Sequence, residues 1–279
     1  MKSDLFYARS QKFLTILLMV GFLFPAAPVW ADNADAREII WKVKDRYDGE
    51  SRIATMEMIL IDKKGNERIR TVRTHQKDRG NDTLKLAFFI SPPDVKDAAF
   101  LTYDYDNDYY EPDRDDDQWL YLPALKKSKR IATVDRSGSF MGSDFTYSDM
   151  TSLDLEDYDF KLIKTQSVED KETWLIEALP KTDEVMEETG YTKSILFIRQ
   201  DNHVVIRAIH FVKEGGRLKY MEVKKLKLID KIWTPTEINM TTKKGKITLH
   251  RTILKYHDIK YNEELDDSFF TVQRMERGL

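Results

Sequence analysis

From residue 51 onward the chain alternates apolar and polar positions with a period of two, the pattern of half-buried strands. The stretch "ATMEMILID" puts Met56, Met58 and Leu60 on one side of a strand, and "KKGN" turns the chain into "ERIRTVRTHQK". "DTLKLAFFI", "AAFLTYDYD" and "DQWLYLPAL" follow, then a second series running from "YDFKLIKTQSV" to "KITLHRTILKYHDIKY". Short polar connections such as "EDKE", "QDN" and "KEGG" read as hairpin turns, so the pattern predicts about ten or eleven strands in a mostly antiparallel meander. One helix precedes them in "DNADAREIIWKVKDRYDGE", with Ile39, Ile40, Val43 and Tyr47 on one face and Gly49 at its stop. Short helical turns are expected around 148–156 and 183–189.

A sheet this wide has an apolar face that must be covered. One helix and two short turns cannot roof it laid flat, so the sheet is expected to curl on itself with the helices at its mouth. Curled sheets of that strand number enclose more room than side chains fill, which is how ligand-holding barrels arise. Periodicity alone leaves both a hollow and a filled interior open. Charged positions such as Arg68, Arg70 and Arg73 are expected on the outside.

The first 31 residues change the picture of where the chain works. Lys2, Arg9 and Lys12 precede the apolar run "FLTILLMVGFLF", and "AAPVWA" ends in a small residue. This is the layout of a secretory signal peptide cleaved after Ala31, with an uncleaved anchor as the alternative. Residues 32–279 are then a single exported, periplasmic domain. The sequence has no cysteine, so the mature chain carries neither a disulfide nor a lipid on an N-terminal cysteine. A net charge of −3 with 33% charged residues argues against nucleic acid as the main partner.

The candidate chemistry is sparse. Gly142-Ser143 lacks the second glycine of a nucleophile elbow. The histidines at 75, 203, 210, 250 and 257 have no zinc-ligand spacing and read as solvated strand residues. Asp104, Asp106 and Asp108 alternate as in a calcium loop, but Tyr109 stands where the turn needs glycine. The plainer reading is a hairpin tip whose acids face "KKSKR" across the ladder. No metal, cofactor or catalytic residue is assigned.

The stretch "RSGSFMGSDFTYSDM", residues 136–150, breaks the alternation. Ser139, Ser143, Asp144 and Ser148 are expected to satisfy their own backbone in turns. Phe140, Met141, Phe145 and Tyr147 are too apolar to face water, which suits a flap packed on a greasy interior; the plainer alternative is a loop closing a filled core. "DDQWLYLPALKKSKRI" followed by "GSFMGSDFTYSDM", and later "IDKIWTPTEINM", resemble the outer-membrane lipoprotein-sorting protein family, the LolA-like and LolB-like periplasmic carriers of the treponemal-type subgroup. The resemblance spans the whole mature chain. It implies a curved, unclosed antiparallel β-barrel with helices as a lid over a hydrophobic cavity. It also implies a carrier of the acyl chains of lipoproteins or other lipids, partnered with an RND/MMPL-type inner-membrane exporter and an outer-membrane acceptor. On this reading Met56, Met58, Leu60, Trp119, Tyr121, Phe140, Met141, Phe145 and Tyr147 are cavity or lid residues. A lipid-binding sensor for an envelope regulatory partner, or an esterase acting through Ser143, are the alternatives.

Overall fold

A computed structural model describes residues 33–107 and 114–279. The leader with its expected cleavage after Ala31, and Asp108 of the acidic loop, lie outside the described residues. Helix α1 (Asn33–Lys44) leads into β1 (Ser51–Asp62), β2 (Glu67–Arg79), β3 (Asp82–Ser91), β4 (Ala99–Asp104), β5 (Asp117–Leu122) and β6 (Lys127–Arg130). A run of short 3-10 turns from 133 to 157 follows. Then come β7 (Tyr158–Val168), β8 (Lys171–Pro180), α2 (Asp183–Thr189), β9 (Tyr191–Arg199) and β10 (Val205–Val212). β11 (Arg217–Ile229), β12 (Ile232–Lys244), β13 (Ile247–Tyr261) and α3 (Val272–Arg277) complete the chain.

All thirteen strands of the described residues belong to one antiparallel, unclosed sheet in the order β6-β5-β4-β3-β2-β1-β13-β12-β11-β10-β9-β8-β7. The count exceeds the ten or eleven expected, partly because β6 is four polar-rich residues with no readable period. The expected curl is forced by the contacts of 136–150. Tyr147 O accepts from Gln118 Nε2 on β5 at 2.9 Å, while Asp149 Oδ2 accepts from the Tyr191 hydroxyl on β9 at 2.9 Å. In the sheet those two strands are nine steps apart. Laid flat, at about 4.8 Å per strand, that is roughly 43 Å; residues two apart in sequence reach both only if the sheet bends round them.

The face that carries this segment is the inner face. Met56, Met58 and Leu60 on β1 point to it, opposite Val72, Arg70 and Arg68 on β2 and Tyr256, Leu254 and Thr252 on β13. α1 also packs on it at the β7–β9 end, where Ala36, Ile39 and Ile40 meet Phe160, Ile176 and Ile198. The helix stops at Lys44, earlier than expected; Tyr47 lies beyond it and is 60% exposed. Gly49 serves the turn into β1 instead, at φ +92, where a Cβ would come within 2.7 Å of the Tyr261 ring. On the outer face α3 covers β3–β5 with Phe270 and Met275. Pro235, inside β12, falls where the β11–β12 register shifts, so its missing N–H breaks no regular ladder bond. Among the described residues no helix is long and apolar enough to cross a membrane.

Candidate functional site

An inner-face core joins Met56, Met58 and Leu60 to Val72, Phe89, Phe100, Leu120, Met240 and Leu254. The 136–150 segment sits on this core as a plug. Phe140 and Phe145 are buried in it, and Met141, Tyr147 and Met150 pack against it. Phe140 lies with ring centres 5.0 Å from Phe100 and 5.6 Å from Tyr147. Burying each of the two phenylalanines is worth about 1.5–3 kcal/mol. Between plug and sheet a cavity of about 280 Å³ remains, lined by Met56, Met58, Phe100, Phe140, Phe145 and Leu254 among others.

The plug is also tied by polar contacts that reach across the sheet. Asp144 is buried and accepts from Thr242 Oγ1 at 2.5 Å and Thr252 Oγ1 at 2.8 Å, with His250 Nδ1 at 2.7 Å. Its own N–H donates to Thr252 Oγ1 at 2.9 Å. Asp144 therefore joins plug to sheet rather than serving its own turn. Ser143 and Ser139 keep the expected local role: Ser143 Oγ accepts from Phe145 N–H at 3.2 Å, and Ser139 Oγ donates to Ser143 O at 2.5 Å. Asp149 takes the Tyr191 hydroxyl and, at 2.7 Å, the Thr146 N–H. Lys219 donates to that same hydroxyl at 3.1 Å, and burial lowers its pKa. Arg136 is buried against Glu188 and the Asp116 carbonyl.

Arg70 overturns the expectation of an outward charge. It is in phase with Val72, so the strand aims it inward, and Nη1 donates to the Met141 carbonyl. Met141 and Gly142 have φ of 50° and 75°, a left-handed pair that turns this carbonyl towards the guanidinium. Burial lowers the Arg70 pKa. Its signal was in the sequence as an arginine on the same side of its strand as a valine.

Trp119 and Tyr121 are a second correction. They point to the outer face and pack with Phe270, Met275 and the α3 side of the sheet, Trp119 5.2 Å from the Tyr103 ring. Their neighbours Leu120 and Leu122 face inward instead. Both sides of β5 are apolar, so alternation alone could not choose between them. The histidines are not simply solvated. His75 is 8% exposed and packs with its ring tilted 4.6 Å from that of Phe269, with its pKa pushed down by burial to about 4. His210 stacks 4.6 Å from Tyr191 and bonds Ser194. Asp104 pairs with Lys85 at 2.6 Å and Asp106 with Lys44 at 2.8 Å, whereas Asp117 does meet Arg130 of "KKSKR". Among the described residues no group of three or more His, Asp or Glu is placed to hold a metal.

Beyond the plug, towards α2, β9 and β10, lies a cavity of about 1060 Å³ lined mostly by polar and charged residues. Asp116 and Asp154 line it, each with its pKa raised to about 7, chiefly by burial and further by neighbouring carboxylates. The inner side of the sheet thus holds an apolar compartment and a polar one, with the plug between them.

A family model described as "Uncharacterized protein" matches residues 81–277. Among solved structures, a domain named for outer membrane lipoprotein sorting, from Vibrio parahaemolyticus, is 30% identical; the match has a TM-score of 0.77 and covers 88% of this chain and 100% of that one. A DUF1329 family protein from Desulfovibrio piger is 24% identical, with a TM-score of 0.76 over 87% of this chain and 98% of its own. A LolA superfamily protein from Nitrosomonas europaea is 18% identical, with a TM-score of 0.64 over 86% and 98%. The latter two share the fold. No curated protein matches.

Proposed function

From the premise that this chain belongs to the outer-membrane lipoprotein-sorting, LolA-like family, we propose that it is an exported, periplasmic carrier that shelters acyl chains of lipids or lipoproteins on its inner sheet face. The observation that carries the reading is the plug: Phe140 and Phe145 stand in an apolar compartment beside about 280 Å³ of remaining space. A ligand pocket usually measures about 300–1,000 Å³, so a full acyl chain enters by displacing those rings.

The energetics favour such an exchange. One long acyl chain is worth on the order of 10 kcal/mol against water, at about 0.8 kcal/mol per methylene. In the empty protein the plug's own aromatics cover the same surface, so no large apolar face meets water after release. Drawing a chain out of a membrane costs as much as its burial returns. Loading therefore calls for an energised partner, for which an RND/MMPL-type exporter is our proposal, and unloading for an outer-membrane acceptor. Methionines at 56, 58, 141, 150, 221 and 240 suit chains of varied shape.

Native mass spectrometry of the protein released gently from its own periplasm, followed by lipid extraction, tests the carrier. Adducts of acyl-chain mass are expected; protein that stays bare even after incubation with membrane vesicles and a detergent-free extract of their lipids sinks the reading. The carrier reading also assigns no chemistry to Ser143, whose hydroxyl is engaged with the Phe145 backbone. Ser143→Ala and the native protein should give the same background turnover on a chromogenic ester.

A further inference from the structure

The inner face carries a second arginine in phase with its methionines. Arg52 begins the row of β1 that continues through Ala54, Met56 and Met58, and it lines the apolar cavity. Its guanidinium donates to Gln76 Oε1 at 3.1 Å and lies 5.8 Å from the centre of the Tyr256 ring. That ring distance is near the outer limit of about 6 Å for a useful cation–π contact. Among the described residues no carboxylate oxygen comes within 4.0 Å of it.

The other charges in the cavity wall are answered. Lys85 has Asp104 at 2.6 Å and the Met150 carbonyl at 3.0 Å. Asp149 has the Tyr191 hydroxyl and the Thr146 N–H. Arg52 has one neutral acceptor. Beside it Tyr256 and Gln76 also line the cavity, and neither the Tyr256 hydroxyl nor the Gln76 amide NH2 has a hydrogen-bond partner among the described residues. Half-buried charges are ordinarily paired. A cation with a hydroxyl and an amide donor, set at one end of an oily space and lacking an anion of the protein's own, complements an anion on a hydrocarbon tail.

We infer that Arg52, with Gln76 and Tyr256, receives the anionic head of the cargo, a phosphate or a carboxylate, while its tail lies along Met56, Met58 and Leu254. This rests on the carrier reading and narrows it to anionic lipids. A guanidinium presents parallel N–H donors to either anion, so a lipid phosphate and a free fatty acid share the chemistry, and the experiment separates them.

Three probes with one tail decide the matter: dodecyl phosphate, dodecanoate and the neutral glycerol monododecanoate. Each is titrated calorimetrically into the mature protein, below its micelle-forming concentration and at physiological ionic strength. One or both anionic probes should bind about tenfold more tightly than the neutral one. The phosphate leading points to a phospholipid, the carboxylate leading to a fatty acid. Arg52→Met should erase the gap without weakening the neutral probe, and Arg52→Lys should keep much of it. Equal affinity for all three in the native protein, or a gap that survives Arg52→Met, overturns the inference and leaves the carrier standing. Failure of every probe to bind instead brings down the carrier reading. Should Arg52→Met melt abnormally, Tyr256→Phe takes its place, with a smaller gap expected and an unchanged one counting against the assignment.

Discussion

A guanidinium turned towards methionines and leucines is costly unless its donors are met, and Arg70 meets the carbonyl of a left-handed Met141. The pair is strained backbone held by a buried cation, so each explains the other. Replacing Arg70 with Met keeps the apolar stem and removes the donor. The expected cost is about 1–3 kcal/mol, read by urea unfolding. Amide exchange across residues 138–147 should quicken more than elsewhere; uniform quickening would place the effect in the whole fold instead of the plug. Phe140→Ala should cost about 3–5 kcal/mol while increasing the lipid that copurifies, because it empties the space the ring fills. A variant equally destabilised but no richer in lipid would separate the ring from the cargo site. Arg52 and Arg70 were readable as phase errors in an apolar row; charge alone had assigned Arg70 to the surface.

At the scale of elements, β5 shows what alternation leaves undecided. Trp119 and Tyr121 hold the outer face to α3, while Leu120 and Leu122 hold the inner core. Tyr103 reinforces the outer seam by donating to the Phe270 carbonyl at 2.6 Å. Trp119→Ala should therefore lower the melting temperature and loosen residues 263–279, yet leave acyl-chain uptake unchanged. Loss of uptake at constant stability would return Trp119 to the cavity. α2 was legible as a short turn, and its ends follow local rules: Thr182 Oγ1 accepts from Val185 N–H at 3.3 Å, and Gly190 closes it at φ +76. β6 was not legible, since four polar-rich residues on an edge have no buried side to set a period.

Over the whole molecule, the sheet folds a charged compartment and an oily one under the same curve, and pH acts on the charged one. Asp116 and Asp154, with pKa values of about 7, bind protons in the folded state that an ordinary aspartate in the unfolded chain releases near 4. Stability from these two groups is therefore full at low pH and declines as pH rises from about 4 to 7. His75 and His210, pushed down to about 4, act oppositely and are lost as pH falls below about 6.5. The Asp116→Asn, Asp154→Asn double variant should lose the carboxylate contribution: relative to native, its melting temperature should gain between pH 5 and pH 8. An unchanged difference across that range would show that neither group is ionised at a cost.

The chain's alternation determined a many-stranded antiparallel sheet with too few helices to cover it, and the loop 136–150 was marked by its excess of large apolar side chains. Those features are local: they follow from period, turn residues and composition within a few positions. Which side of β5 faces in, that Asp144 ties the plug to β12 and β13, and that Arg52 has no anion beside it were decided only by the tertiary structure. Each depends on residues more than twenty positions apart meeting across a curled sheet. The curvature that brings them together is a property of all the strands acting together in one unclosed sheet, and no window of sequence contains it.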